Sequence, residues 1–289
     1  MHGERSRTPI QVDRCIVLAP ELDLARLALP GLLRGARGDG EAELALGRPR
    51  ASSRAPVLVL QWKGELPGAV FSRLEAAVLE GSLDGASVWS EGARAPASIG
   101  APSAWTPGAD GLPLELPPGG FAQAHEEGNT ALVRAVTGAA SELVEEGSEG
   151  RLVELYAGSG NLTISLAPLA LRLTAVEANP LACEAARRNL QARGLEARVV
   201  QADADTYSWP KDTRLIVLDP PRTGARKVAE SLAARPVHGV VYLSCDPVTL
   251  GRDLAILAPR YELLRLETFE MFPQTSHVEI LAVLRRASR

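Results

Sequence analysis

The stretch that decides the fold is residues 240–247, which read VVYLSCDP. A short apolar run with a β-branched pair is typical of a buried parallel strand. Pro247 cannot continue the pairing because it has no amide hydrogen. Ligands of open α/β sheets bind at the carboxyl ends of the strands, so a thiol at Cys245 is placed for chemistry. The alternative, on these eight residues alone, is a small buried core cysteine.

The same strand pattern recurs on both sides of this stretch. From Gly150 onward we predict strands at 151–156, 171–177, 197–202, 214–218, 239–244, 261–269 and 278–284. The clearest helices between them are predicted at 180–193 and 248–258. The last two strands have no helix-length segment between them, so they are expected to pair antiparallel. This alternation predicts an α/β fold with a doubly wound, mostly parallel, seven-stranded sheet.

The chain before this sheet is predicted to form a smaller α/β lobe over residues 1–120. Its pattern suggests a helix at 20–33 that Pro30 interrupts, a helix at 70–79, and strands at 41–46, 56–62 and 85–89. Between Pro96 and Gly120, six prolines and five glycines predict an irregular connector. We therefore place a domain boundary near residue 120, with the second domain at 121–289 beginning in an amphipathic helix at 126–146.

Composition limits the class of protein. The 289 residues are 46% hydrophobic and 23% charged, which is enough for a sizeable core, and no apolar run approaches the ~20 residues that cross a bilayer. The N-terminus has no secretory apolar segment, and three scattered cysteines fit neither a disulfide framework nor a four-thiolate cluster. A cytoplasmic protein without an iron–sulfur cluster is expected. The net charge of −4 neither requires nor excludes nucleic acid.

A glycine-rich turn follows the strand at 151–156, in the sequence VELYAGSGN of residues 153–161. Thr163 stands where a dinucleotide fingerprint has its third glycine, which disfavours pyrophosphate. Glu177 lies 19 positions after Gly158, about the spacing at which a carboxylate reaches a ribose diol. The pair suggests an adenosine cofactor without pyrophosphate, and S-adenosylmethionine fits; the alternative is a plain loop. Asp203, at the end of the third strand, could contact the adenine amino group or be a solvated loop acid.

Two further carboxylates stand at strand ends. The strand LIVL of residues 215–218 runs into Asp219 and two prolines, an arrangement suited to holding a planar polar substrate edge. The alternative for Asp219 is a helix-capping or turn aspartate. Glu279 precedes the apolar run of residues 280–284, where a carboxylate is costly unless it is paired or used, and partial desolvation raises its pKa toward that of a base. His277 is an alternative base or hydrogen-bond donor.

Taken together, these residues resemble the RNA 5-methyluridine methyltransferases, which are class I, Rossmann-like, S-adenosylmethionine-dependent enzymes. The resemblance covers residues 121–286 and is carried by FAQ (121–123), LYAGSGN (155–161), DPPRTG (219–224), SCDP (244–247), TLGRDL (249–254) and FPQTSHVE (272–279), in that order. It implies that Cys245 is the nucleophile, that Glu279 is the general base and that Asp219 lies near the target uracil. It also implies that the cofactor contacts Gln123, Tyr156, Asn161, Glu177 and Asp219. The turn glycines Gly158 and Gly160, together with Asp203, complete the predicted cofactor-binding set.

The implied reaction methylates C5 of a uridine in ribosomal or transfer RNA through a covalent bond between Cys245 and C6. A stacked base cannot be reached this way, so the uridine would be flipped out. The thiolate needs a pKa lowered by local charge, and Arg252 is a candidate for supplying it.

The chain departs from the family's pattern at three points. It lacks the N-terminal TRAM RNA-binding domain and the first part of the central domain. It also lacks the cluster cysteines of one branch, so no iron–sulfur centre is expected, and it carries Asp246 where asparagine is usual. Two other functions therefore stay open. One is a methyltransferase for another pyrimidine or a small molecule, and the other is a non-catalytic RNA-binding homologue.

Overall fold

The computed structural model describes residues 13, 15, 17–50, 54–123, 125–145, 150–169, 172–271, 275 and 277–288. The chain divides into two compact units, Met1–Trp105 and Thr106–Arg289. The two units meet between residues 105 and 106, whereas the sequence predicts a domain boundary near residue 120. The boundary near residue 120 stays a prediction. None of the helices in the described part of the chain is long and apolar enough to cross a bilayer.

The first unit is a four-stranded sheet with two helices. Its elements are α1 (Pro20–Leu32), β1 (Arg37–Leu46), β2 (Pro56–Glu65), α2 (Gly68–Leu79), β3 (Gly85–Ser90) and β4 (Ala97–Gly100). The strands lie in sequence order, and only β2 and β3 pair in parallel. The buried core consists of apolar side chains from α2, β2 and β3, among them Leu58, Leu74 and Val88. Helix α1 continues through Pro30 to Leu32, so the predicted interruption is wrong.

The segment predicted as an irregular connector contains regular structure. It holds β4, and then β5 (Ala104–Pro107) and β6 (Pro113–Leu116), which form a two-stranded sheet. The prolines and glycines stand mainly at the ends of these four-residue strands, where missing amide hydrogens and left-handed backbone do no harm to the pairing. The pattern therefore gave the breaks correctly and missed the short strands between them.

The second unit contains the predicted seven-stranded sheet. After α3 (Glu126–Glu145) its elements are β7 (Arg151–Leu155), α4 (Asn161–Leu166), β8 (Leu173–Glu177), α5 (Pro180–Gln191), β9 (Arg198–Gln201), β10 (Thr213–Leu218), α6 (Arg226–Ala234), β11 (Gly239–Ser244), α7 (Pro247–Leu257), β12 (Tyr261–Phe269) and β13 (Glu279–Arg286). The strand order is β12-β13-β11-β10-β7-β8-β9. Strands β7 to β11 are parallel, and β12 and β13 pair antiparallel, as predicted. Strand β13 is also antiparallel to β11, which the sequence did not predict.

Apolar residues on both faces of this sheet are buried. One face packs against α6 and α7 around Ile216 and Tyr242, and the other packs against α3 and α4 around Val217 and Val241. Successive side chains of a strand point to opposite faces, so a strand covered on both faces is apolar throughout. This burial explains why residues 240–243 are a continuous apolar run.

Candidate active site

The register of the sheet brings Cys245 and Glu279 together although they are far apart in the chain. Strands β11 and β13 pair antiparallel, and Ser244 is the partner of Ile280. Cys245 follows Ser244 and Glu279 precedes Ile280, so the two residues lie opposite each other one step beyond the last of these pairs. The predicted nucleophile and the predicted base are thus neighbours at the carboxyl edge of the sheet.

The next strands continue this row of polar side chains. Leu218 of β10 pairs with Leu155 of β7, and Asp219 and Tyr156 are the residues that follow them. Glu177 is the last residue of β8, the neighbouring strand. The carboxyl edge therefore presents, strand by strand, the side chains Glu279, Cys245, Asp219, Tyr156 and Glu177. This is the edge at which open α/β sheets bind ligands.

A cavity of about 600 Å³, here called the strand-edge cavity, lies against this row. The residues predicted for the site that line it are Gln123, Tyr156, Gly158, Asn161, Glu177, Asp219, Cys245 and Glu279. Gly160 and Asp203 do not line it. Asp203 is exposed, and its Oδ1 accepts the amide of Asp205 at 2.9 Å, as a turn residue does. The structure thus places eight of the ten predicted residues in one cavity.

The turn after β7 has an unusual backbone. Tyr156, Gly158 and Gly160 have φ values of 62°, 54° and 88°, in the left-handed region that costs a non-glycine residue free energy. The Tyr156 hydroxyl donates to Asp205 Oδ1 at 3.1 Å. Gly160 immediately precedes α4, and a Cβ there would lie 3.4 Å from that of Ala186. The glycines thus permit a turn that α5 packs against closely.

Glu177 holds this turn in place. Its Oε2 accepts the amide of Gly158 at 2.9 Å, and its Oε1 accepts the amide of Asn179 at 2.7 Å. The carboxylate therefore links the loop after β7 to the loop after β8. Two charge-assisted hydrogen bonds of this kind fix the position of the glycine turn at the wall of the cavity.

The carboxyl groups at the other end of the cavity have raised pKa values. Burial raises the pKa of Glu279, and the nearby Gln123 and Arg222 oppose this rise. Gln123 Nε2 lies 3.5 Å from Glu279 Oε1. Burial, together with the negative charge of Glu279, raises the pKa of Asp219 to about 7. At neutral pH these groups are therefore better proton acceptors than ordinary carboxylates.

The pKa of the Cys245 thiol is raised, which contradicts the expected lowering. Burial is the main cause, and the charges of Glu279 and Asp219 act in the same direction. The cation that favours the thiolate is Arg222 rather than Arg252. The Arg252 guanidinium donates to Asp253 Oδ1 at 2.8 Å and to the carbonyl of Thr223 at 3.0 Å, and it does not line the cavity. Its role is to hold the loop before α6.

Two further residues that the sequence analysis considered, His277 as an alternative base and Asp246 as a departure from the family's pattern, do not line the cavity. His277 is exposed, and its Nδ1 lies 3.2 Å from an Arg222 nitrogen. Asp246 is the N-cap of α7, and its Oδ1 accepts the amide of Thr249 at 2.8 Å. An asparagine could accept the same hydrogen bond, so the departure from the family's usual residue preserves the cap.

Several polar residues line the cavity that were not predicted as site residues. Among them are Asn129, Glu154 and Arg222. Asn129 lies on α3, and its Oδ1 accepts the side-chain amide of Asn161 at 2.8 Å. The signal for Glu154 was visible, because a carboxylate inside the apolar strand β7 is costly without a purpose. Nothing in the helical pattern around Asn129 pointed to the site.

Comparison with known proteins identifies the family of this chain. A family model described as tRNA (Uracil-5-)-methyltransferase matches residues 119–287. The chain belongs to this family. Among curated relatives, the 23S rRNA (uracil(1939)-C(5))-methyltransferase RlmD of Pseudomonas entomophila is 32% identical over 97% of this chain and 62% of its own length. An uncharacterized RNA methyltransferase of Bdellovibrio bacteriovorus is 38% identical over 57% of this chain and 44% of its own length.

A solved structure shares the fold of this methyltransferase-family chain. The tRNA (uracil-54, C5)-methyltransferase of Pyrococcus abyssi, in complex with S-adenosyl-L-homocysteine, matches with a TM-score of 0.70 and 22% identity over 98% of this chain and 72% of that chain. The class I, Rossmann-like prediction is therefore confirmed. The chain spans less than two thirds of the length of the curated relatives that it matches first.

Proposed function

We propose that this protein transfers a methyl group from S-adenosylmethionine to C5 of a uridine in ribosomal or transfer RNA. The observation that carries the proposal is the register of β11 and β13, which places the Cys245 sulfur and the Glu279 carboxyl side by side at the strand-edge cavity. The same cavity is bounded by the glycine turn and Glu177. We propose a cytoplasmic location as well, because the curated relatives are bacterial enzymes named for ribosomal RNA.

The strand-edge cavity fits the cofactor of this family. Glu154, Glu177, Asp219 and Glu279 line it, and among its described lining residues Arg222 is the single cation. Such a lining favours a positively charged ligand, and S-adenosylmethionine supplies an electrophilic methyl group on a positively charged sulfur. Residues of the predicted set that would hold it are Gln123, Tyr156, Gly158, Asn161, Glu177 and Asp219. The narrow turn with its glycines allows close approach of the backbone to a ligand.

The roles of Cys245 and Glu279 follow from the chemistry of uracil. Carbon C5 is a poor nucleophile, so the Cys245 thiol first loses its proton to solvent, the thiolate adds to C6, and the displaced electron pair makes C5 enolate-like. C5 would use this pair to take the methyl group, and the bond between the methyl group and the cofactor sulfur would break, leaving S-adenosylhomocysteine. Glu279 then removes the proton that remains on C5, and the returning electron pair expels the thiolate as the bond to C6 breaks. We assign to Asp219 the role of holding the polar edge of the ring.

Nucleoside analysis tests the reaction directly. RNA incubated with the protein and labelled S-adenosylmethionine should yield 5-methyluridine, and Cys245→Ser should yield none. Methylation of a base nitrogen or of ribose would rule this mechanism out. Methyl transfer to free nucleotides but not to RNA would instead favour a small-molecule enzyme.

A trapping experiment tests the base. Glu279→Gln should accumulate a covalent complex between protein and RNA, because the C5 proton stays in place and elimination cannot follow. The complex should be absent when Cys245→Ser is added to the same variant. A folded Glu279→Gln protein that binds the cofactor and forms no complex would count against Glu279 as the base.

A further inference from the structure

Glu154 is a buried carboxyl group that interacts with Thr163, but one of its two oxygens lacks a hydrogen-bond partner. It is the fourth residue of β7 and is 2% exposed. Among the described residues, its Oε2 and the neighbouring Thr163 Oγ1 have no hydrogen-bond partner. Burying a carboxyl group without hydrogen bonds costs free energy, and such groups in native proteins call for an explanation. Because Glu154 also lines the strand-edge cavity, a ligand in that cavity can supply the missing partner.

The position of Glu154 on its strand explains why its side chain lines the cavity. Val153 and Leu155 belong to the core on the side of α6 and α7, so Glu154 between them faces α4, the helix that follows the glycine turn. Asn161 and Leu162, at the start of that helix, line the same cavity. The carboxyl group therefore lies beneath the turn that bounds the cavity.

The electrostatics of the cavity point to a cationic partner. Burial raises the pKa of Glu154 to about 8, the charges of Asp219 and Glu177 add to this rise, and Thr163 opposes it only in part. The side chain is therefore mainly neutral at pH 7 in the free protein. A cation close to the carboxyl group would reverse the balance and favour the ionised form.

We propose that Glu154 binds a positive charge of S-adenosylmethionine and releases its proton to solvent when the cofactor binds. The inference rests on the proposed function and adds a residue to the predicted cofactor set. The bond that breaks is the O–H bond of the carboxyl group, and the buffer takes the proton. Cofactor affinity should consequently rise with pH up to about 8 and level off above it.

Calorimetric titration with S-adenosylmethionine tests the proposal without any turnover. Measuring the binding heat at pH 7 in two buffers of different ionisation enthalpy gives the number of protons released. The wild type should release a proton fraction that Glu154→Gln largely loses and Glu154→Asp retains. At pH 8.5 the Glu154→Gln variant should bind about tenfold more weakly than the wild type, and at pH 6 the difference should nearly vanish.

Controls separate binding from structure. Glu184→Gln removes an exposed carboxylate of α5 outside the cavity and should behave as the wild type. S-adenosylhomocysteine lacks the sulfonium charge. Proton release with both ligands would assign the ammonium group as the partner of Glu154, and release with S-adenosylmethionine alone would assign the sulfonium; either supports the proposal.

Three results would overturn it. One is a Glu154→Gln protein that keeps the wild-type proton release and pH dependence, which leaves the proposed function standing. Another, independent of any variant, is a wild type that binds S-adenosylmethionine and releases no proton at pH 7. The third is a wild type that does not bind S-adenosylmethionine at any pH, which would refute the proposed function as well.

Discussion

The thiol of Cys245 lies between opposing charges, and this balance sets its reactivity. Glu279 and Asp219 raise its pKa together with burial, while Arg222 lowers it. The sequence suggested Arg252 as the cation that lowers the pKa of Cys245, and Arg252 is nearer to Cys245 in the chain than Arg222 is. The guanidinium of Arg252 is instead bound to the buried Asp253. Distance along the chain does not report which charge reaches a given sulfur.

Removing the charge of Arg222 should make Cys245 less reactive. Arg222→Met takes away the cation that favours the thiolate, so alkylation should become fast only at a higher pH than in the wild type. The measurement is the rate of iodoacetamide modification of the Cys245 peptide by mass spectrometry between pH 7 and 10. Arg222→Lys keeps the charge and should retain most of the wild-type profile. Superimposable profiles for the Met variant and the wild type would show that Arg222 does not act on the thiol.

At the scale of elements, the polar residues after the strands serve both the site and the helices. Asn179 caps α5 by accepting the amide of Leu181 at 2.9 Å, and Asp246 caps α7. Asp253, buried on α7, accepts the Tyr242 hydroxyl at 2.7 Å and the amide of Ala225 at 2.8 Å, which ties the start of α6 to β11 and α7. The loop that carries Asp219 and Arg222 ends at this anchor.

The glycine turn offers a prediction at the same scale. Gly160→Ala puts a side chain on a residue with φ of 88°, which should cost about 1–2 kcal/mol of unfolding free energy. Gly251→Ala is the matched control. Gly251 lies in α7, where an added Cβ would meet no atom of the described residues outside the helix within 4 Å, so the substitution should stabilise the protein by up to about 1 kcal/mol. Urea denaturation measures both, and equal effects would contradict the assigned backbone.

At the scale of the whole molecule, the acidic cavity makes stability depend on pH. The pKa of Glu154 rises on folding from an ordinary 4.5 to about 8, and that of Asp219 rises from 3.8 to about 7. At pH values between the unfolded-state pKa and the folded-state pKa of each group, the folded chain binds more protons than the unfolded chain. This contribution to stability is complete below about pH 4 and is lost as the pH rises through 8.

Glu154→Gln should remove part of this pH dependence. Its melting temperature should equal or exceed that of the wild type at pH 8.5, because the wild type then carries a buried carboxylate close to the negative charges of Asp219 and Glu177. At pH 5 the two proteins should melt within a few degrees of each other. Thermal unfolding at half-unit pH intervals gives both curves, and Glu184→Gln should follow the wild type. A Glu154→Gln protein that is less stable than the wild type at pH 8.5 would contradict the raised pKa.

The sequence by itself determined the seven strands and their order of appearance, because apolar periodicity and turn residues are local properties. Strand ends and the glycine turn pointed to five of the eight predicted residues that line the cavity, which are Gly158, Glu177, Asp219, Cys245 and Glu279. The resemblance to the methyltransferase family supplied the other three, Gln123, Tyr156 and Asn161. The short strands between Ala97 and Leu116 were missed because four residues carry too little periodicity to be distinguished from the prolines and glycines around them.

Only the tertiary structure decided which side chains act on one another. The pairing of β11 with β13 sets Cys245 beside Glu279, and Asp203 lies outside the cavity although it follows a strand as Asp219 does. Burial and the negative charges of residues that are far away in the chain but close in space raise the pKa of Cys245 and of Glu154. Desolvation and electrostatic interaction depend on distances in space between groups that are far apart in the chain, and no local pattern of residues encodes those distances.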